Sequence, residues 1–261
     1  MLLATRSEQK AAARAERLAR AEADARAAAQ RRRLYLFGAV MVVAVVIVAA
    51  VIAITSGSSS NSSTSSARSA AQVRNLLAGI PQSGRTLGRA SAPVTVTLDE
   101  DLQCPVCRDF MLGGGRQLVA NDVRAGRVKL VFRSLQTATP DPTTFQVQQQ
   151  AAMAAGQQNR LWHFVELFYH QQGAEGTPYV TESYLDKLAR QIPGLNYSKW
   201  VAARQEGSLA SQVTSDESLA KAKGFDSTPT IVVQGPKASP QPVVGAASYS
   251  DIEKLVTQAG G

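Results

Sequence analysis

The sequence predicts an α/β domain, an α+β sandwich with a helical insertion, preceded by one transmembrane helix, and three observations carry that reading. Leu34 to Thr55 is an apolar run of 22 residues without a charge. Val94-Thr95-Val96-Thr97-Leu98 alternates apolar and polar residues, the pattern of a half-buried strand, just ahead of the pair Cys104-Pro105-Val106-Cys107. A long helical stretch then separates a second strand candidate from a third that opens at Pro229. The hydrophobic share of 44% is therefore distributed very unevenly over the 261 residues.

Charge and cysteine content exclude several classes. Lys and Arg total 28 against 20 Asp and Glu, a formal +8 that invites a nucleic-acid partner. Nine of the basic and four of the acidic residues fall in residues 1–33, so most of the excess belongs to the amino-terminal tail. That tail has no aromatic platform and interleaves Glu8, Glu16, Glu22 and Asp24 with its bases, which argues against nucleic acid. Two cysteines are too few for a disulfide-stapled scaffold, and the composition fits neither a collagen-like chain nor a multi-span membrane protein.

Residues 1–33 read as a basic, solvated helical tail, rich in Ala, Arg, Glu and Gln with no apolar stripe larger than alanine; apposition to anionic headgroups is the weaker alternative. Residues 34–55 read as a transmembrane helix, because 22 residues at roughly 1.5 Å each cover a hydrocarbon core of roughly 30 Å. A cleaved signal peptide fits less well, since the apolar run is longer than a signal core and a long segment precedes it. Arg31, Arg32 and Arg33 abut the span and a neutral Ser-rich segment follows it, so the amino end is expected in the cytoplasm and the rest outside the cell membrane. Residues 56–72 read as a flexible extracytoplasmic linker.

Residues 73–261 are expected to form one domain. After the first strand, Cys104 to Arg124 has helical patches around Gly113-Gly114-Gly115, where the glycines should kink or loosen the helix. Val128 to Arg133 is the second strand candidate. From about residue 140 to 224, apolar residues recur at three and four, which predicts a helical insertion. Pro229 to Val233 and Pro242 to Val244 return to strand, and Tyr249 to Gln258 closes with an amphipathic helix.

The cysteines carry the chemistry. Cys104 stands at the expected start of a helix, where unpaired backbone N–H groups and the positive end of the dipole favour thiolate over thiol. That makes Cys104 the candidate nucleophile. Cys107, one turn further in, is placed to attack a mixed disulfide on Cys104 and release the product. Pro105 fits the first turn, where its missing N–H costs nothing. A purely structural disulfide across two residues would close a very short loop and constrain little of the unfolded chain. Zinc is a poor fit, because the only histidines, His163 and His170, lie seven apart. With Trp162, Phe164, Leu167 and Phe168 around them, the histidines read as part of a core-facing helix stripe rather than as catalytic groups.

Val94 to Phe110 (VTVTLDEDLQCPVCRDF), paired with the distant Ala222-Lys223-Gly224-Phe225-Asp226-Ser227-Thr228-Pro229-Thr230-Ile231, resembles the DsbA-like thiol:disulfide oxidoreductases of thioredoxin fold, in their membrane-anchored actinobacterial type. The resemblance implies that Pro229 is a cis-proline whose loop, with Thr228 before it, packs on the cysteine pair and presents backbone to a polypeptide substrate. It also implies that the 121 residues between Cys107 and Pro229 hold the inserted helical subdomain. No separate cofactor is implied, since a redox-active Cys104–Cys107 disulfide carries the electrons, and no metal. The expected partners are exported cysteine-containing polypeptides and an unidentified membrane redox partner, with a quinone-linked reoxidase as one candidate. Two departures from the family stand out. The acidic residue expected six positions before the first cysteine is Leu98, which leaves proton transfer to water or to Asp99 or Asp101. Val106 replaces the histidine of strongly oxidising members, so a lower oxidising power is expected. The competing class is a non-enzymatic thioredoxin-fold module that holds extended peptide beside Pro229 through backbone hydrogen bonds.

Overall fold

A computed structural model describes residues 64–261. The tail at 1–33, the apolar run at 34–55 and the start of the Ser-rich segment lie outside the described residues. Among the described residues, no helix is long and apolar enough to cross a membrane.

The first described element corrects the linker expected over 56–72. Residues 64–77 form helix α1 instead of flexible chain. Its serines are mediocre helix formers, but Ala70, Val73, Leu76 and Leu77 are buried in the domain core, and packing of such a stripe outweighs propensity. Arg124 secures the end of this helix by donating to the carbonyl oxygens of Leu76 and Ala78, at 2.7 and 2.8 Å.

The sheet has six strands: β1 (Gln82–Ser83), β2 (Thr86–Leu87), β3 (Val94–Glu100), β4 (Val128–Ser134), β5 (Thr230–Gly235) and β6 (Ala238–Val244). Their order is β1-β2-β4-β3-β5-β6, with β3 and β4 parallel and every other neighbour antiparallel. The first two strands are two residues each, too short to leave a period in the sequence. Central β3 buries Val94, Val96 and Leu98 on one face, and the same alternation continues to Glu100. Asp99, one residue out of step, faces the other side.

From β3 the chain enters α2 (Pro105–Phe110), which passes through a π-turn at Met111–Gly115, then α3 (Arg116–Leu118) and a second π-turn at Val119–Val123. The glycines therefore widen the helix locally without breaking it; the residues at each junction keep right-handed helical dihedrals. Gly114 has a packing reason, since a Cβ there would stand 2.6 Å from the Ala247 carbonyl oxygen. Helices α4 (Pro142–Gly156), α5 (Leu161–His170), α6 (Glu182–Arg190), α7 (Tyr197–Ala203) and α8 (Gly207–Ala222) lie between β4 and β5, and α9 (Tyr249–Ala259) ends the fold. Asp141, Thr181, Asn196 and Ser248 cap the amino ends of α4, α6, α7 and α9, which is why those helices start where they do. Inside, Trp162 meets Phe132 edge-on at 6.3 Å and donates its indole N–H to the Arg85 carbonyl oxygen, tying α5 to the sheet. Trp162, Phe164, Leu167 and Phe168 are fully buried as the stripe pattern predicts, while His163 and His170 are only half-buried at its margins.

Candidate active site

Cys104 is the N-cap of α2, with extended dihedrals, and Pro105 occupies the first turn. The geometry follows from the sequence: proline cannot donate a helical hydrogen bond, so it fits where the helix begins, and the cysteine before it is held at the mouth of the helix. The Cys104 thiol donates to the Thr228 carbonyl oxygen over 3.5 Å. Donation from the Cys107 thiol is the largest influence drawing the Cys104 thiol down, to about 6; the Thr228 side chain and the backbone N–H groups of Cys107 and Val106 add to it against burial. Cys107 goes the other way. It is fully buried, and burial, then Cys104 and the charge of Glu100, push its thiol well above the ordinary cysteine value. Both are free thiols here, with Cys104 at 5% exposure and Cys107 at 0%. Cys104 is thus the more accessible of the two but not openly exposed; the exposed member of the motif is Val106, at 40%.

This asymmetry sets a pH signature. Cys104 is thiolate above pH 6 and thiol below it, so alkylation of the reduced protein should rise through a midpoint of about 6 and fall on Cys104 alone. Mass spectrometry after brief iodoacetamide treatment at pH 7 reads this out. A midpoint near 9, or equal labelling of Cys107, contradicts the assignment.

The loop opposite the cysteines contains Thr228 and Pro229, joined by a cis peptide bond, immediately before β5. The Thr228 hydroxyl pairs with the Thr137 hydroxyl, so the position of this loop depends on the segment after β4. Asp101 builds that segment. Its carboxylate accepts from the backbone N–H groups of Thr137, Ala138 and Thr139 at 2.8–3.0 Å, from the Gln103 N–H at 3.0 Å and from Gln148 Nε2 at 3.3 Å. Nothing is left on Asp101 to ferry a proton, and the relay expected there is replaced by a positioning function. Asp101→Ala leaves four backbone donors without their partner, and we expect chemical denaturation to show a loss of about 3–5 kcal/mol.

Asp99 also departs from the expected relay. It is buried on the far face of β3, opposite Arg133 on β4 and Thr230 on β5 in the strand register. Burial lifts its carboxyl to about 6, against the nearby Arg133 guanidinium, and neither cysteine is among the groups acting on it. The acid whose charge acts on the pair is Glu100, which sequence reasoning passed over. Glu100 is fully buried, burial raises its carboxyl to about 8, and its charge acts on Cys107 while that of Cys104 acts on it. Tyr169 of α5 donates its hydroxyl to Glu100 Oε2 at 2.7 Å, and Glu100 Oε1 has no partner. The signal was present: the period-two alternation Val94, Val96, Leu98, Glu100 places this acid on the same face as the buried strand residues. Gln172 Nε2 completes the frame by donating to the carbonyl oxygens of Leu102 and Cys104, at 2.8 and 3.1 Å. No group of three or more His, Cys, Asp or Glu suited to a metal occurs among the described residues.

Fold and site together define a thioredoxin-like α/β protein with a dithiol at the head of the helix after the central strand. The chain belongs to the thioredoxin family, whose model matches residues 82–256. Among its relatives is the "Probable disulfide bond formation protein D" of Bacillus anthracis, 23% identical over 163 residues that cover 60% of this chain and 72% of that protein. Oxidised BdbD from Bacillus subtilis has a similar fold, with a TM-score of 0.59 at 22% identity over 69% of this chain and 97% of that one. DsbA from Chlamydia trachomatis is also similar, with a TM-score of 0.56 at 18% identity over 67% and 90% of the two chains.

Proposed function

We propose that this chain is a thiol:disulfide oxidoreductase of the DsbA and BdbD kind, membrane-anchored in the actinobacterial manner, which exchanges disulfides with exported cysteine-containing polypeptides. The observation that carries this reading is the unequal placement of the two sulfurs: Cys104 caps α2 with its Sγ 3.5 Å from the Thr228 carbonyl oxygen beside the cis proline, and Cys107 is fully buried one turn in, which draws the first thiol down and pushes the second up. Thiol–disulfide exchange needs an attackable or attacking sulfur with a good leaving character and a second sulfur held in reserve. The name of the Bacillus anthracis relative points to the same chemistry.

In the oxidised state the two sulfurs are joined. A substrate thiolate attacks Cys104, a substrate–Cys104 bond forms, the Cys104–Cys107 bond breaks, and its electron pair leaves on Cys107. Cys107 is a poor thiolate in this buried place, so it takes a proton, and protonated Glu100, whose charge acts on Cys107, is the acid that supplies it. A second substrate thiolate then attacks the sulfur of the first, which releases Cys104 as its stabilised thiolate and leaves an oxidised substrate. Thr228 and Pro229 present backbone to the incoming chain, and Pro105 and Val106 shape the approach to Cys104. The Cys104–Cys107 disulfide itself is the redox cofactor, and a redox partner in the membrane restores it. The catalytic domain lies on the extracytoplasmic side of the cell membrane, consistent with Arg31–Arg33 ahead of the apolar run at 34–55.

The test is stoichiometric transfer. Oxidised protein mixed with an equal amount of a reduced, unfolded polypeptide bearing two cysteines should convert it to its disulfide form within minutes, with Cys104 and Cys107 reduced in parallel. A polypeptide that binds but stays reduced favours the peptide-holding module instead.

A further inference from the structure

Beside the cysteines lies a pocket of about 200 Å³ that has no part in the steps above. Its lining runs from buried Gln103 and Thr139 to exposed Pro140, Asp141, Thr177 and Pro178. Both sides of it are tied to the exchange site. The segment at 173–178 follows Gln172, which donates to the carbonyl oxygens of Leu102 and Cys104, and the segment at 139–141 follows Thr137, whose hydroxyl pairs with that of Thr228. Gln103 itself directly precedes Cys104, a Cα step of roughly 3.8 Å. The 173–178 segment is firmly built. Thr177 Oγ1 donates to the Ala174 carbonyl oxygen at 2.6 Å and the Tyr179 N–H to that of Thr177 at 2.9 Å. The Tyr179 ring covers Gly173 so closely that a Cβ there would stand 2.4 Å from its Cγ.

The hydrogen bonds of the lining leave it rich in acceptors and short of donors. Its three threonine hydroxyls all donate elsewhere: Thr139 to Asp101, Thr144 to Asp141 and Thr177 to Ala174. The Thr139 and Thr144 N–H groups are spent on the same two carboxylates, and Pro140 and Pro178 have none to give. Gln103 gives its N–H to Asp101 and its side-chain amide to Gln148. Asp141 is the one charged residue of the lining. Its Oδ2 holds two short bonds from Thr144, while Oδ1 takes a single long one, 3.4 Å, from the Thr143 N–H. An incoming carboxylate would meet like charge and few donors, whereas a group with donors alone on an apolar stem fits, which describes lysine and arginine. The volume lies below the roughly 300–1,000 Å³ of small-molecule sites and suits one side chain.

Resting on the exchange reading above, we propose that this pocket selects substrates by taking a lysine or arginine side chain that lies within about three positions of the reacting cysteine on an extended polypeptide, its stem against Pro140 and Pro178 and its charge at Asp141. The contact forms before any bond changes and persists through attack on Cys104, so it strengthens binding without speeding the exchange of bound substrate. Asp141 also caps α4, and the helix end draws on the same carboxylate. The gain is therefore that of one exposed ion pair.

The experiment mixes the full-length oxidised protein with short reduced peptides that carry one cysteine and, at a single nearby position, either lysine or its uncharged counterpart norleucine. Each rate is divided by that of the same peptide with 2-hydroxyethyl disulfide, a neutral disulfide, which removes the effect of lysine on the peptide thiol itself. At one position lysine should react about fivefold faster than norleucine at low peptide concentration and equally fast at saturation. The advantage should vanish in about 1 M salt. In Asp141→Asn, which keeps a good helix cap, the ratio of lysine to norleucine should fall to about one. A ratio of about one at every position in the wild type overturns the proposal, as does a preference for norleucine or a lysine advantage that survives Asp141→Asn. In each of those cases the peptides still open the Cys104–Cys107 bond, and the exchange reading stands. If no peptide opens that bond, the exchange reading falls and the selectivity of the pocket falls with it.

Discussion

Replacing Cys107 by alanine should turn the protein into a covalent trap. Cys104 keeps its low thiol value from Thr228 and backbone donors, although it loses the donation from Cys107 that contributes most, so attack on substrate disulfides continues more slowly. Release cannot follow, because the sulfur that resolves the mixed disulfide is gone. Adducts reducible by dithiothreitol should therefore accumulate on a non-reducing gel of cells expressing Cys107→Ala, and none should form with Cys104→Ala. Turnover should be lost in both. The peptide-holding alternative expects no adducts in either variant, since hydrogen-bonded peptide is indifferent to both thiols.

Glu100→Gln should produce the opposite signs in activity and stability. The substitution keeps the shape of the side chain and an oxygen for Tyr169, but removes the proton that meets Cys107 as it leaves. Loss of a positioned general acid costs about 10²–10⁴ in rate, and we expect the step that breaks the Cys104–Cys107 bond to slow by about a hundredfold at pH 7. Stability should move the other way. Glu100 holds its proton to about pH 8 in the fold, whereas the unfolded carboxyl loses it near 4.5, so the folded state binds more protons between these values and its stability falls as pH rises through that window. Glutamine has no such dependence. Denaturation at pH 5 and pH 8 should show a smaller drop in Glu100→Gln than in the wild type, and a drop of the same size removes Glu100 from the account.

The elements that place the site were legible because their signals are local. Alternation over Val94–Leu98, a proline after Cys104 and the return to strand beyond Pro229 each report a backbone state that needs only a few residues to specify. The loop pairing of Thr228 with Cys104 came from resemblance, and the 3.5 Å contact between them supports it. What the chain could not show locally were the long-range choices. Helix α1 forms from a serine-rich stretch because Val73 and Leu77 find a core contributed by residues far downstream. Strand β2 exists only through pairing with β4, and β1 only through pairing with β2. The acidic run Asp99-Glu100-Asp101 was visible, but its side chains part company in space: that of Asp99 turns to the far face, that of Asp101 binds the loop at 137–139, and that of Glu100 is the carboxylate whose charge acts on Cys107. Extending the strand alternation by two residues, before choosing an acid, would have separated the first two.

The central claim is that Cys104 and Cys107 interconvert between dithiol and disulfide, with the reduced form favoured by the Cys104 thiolate. Equilibration of the protein in glutathione buffers of graded potential, quenched by acid and followed by mass spectrometry, tests it most directly. A thiol at about 6 stabilises the reduced state more than one near 7 does, and the pair lacks a histidine beside it. The expected result is a single two-electron transition confined to Cys104 and Cys107, with a midpoint between about −270 mV, the thioredoxin value, and about −120 mV, that of the strongest oxidant of the fold. A pair that shows no such transition, or one more reducing than thioredoxin, would contradict it.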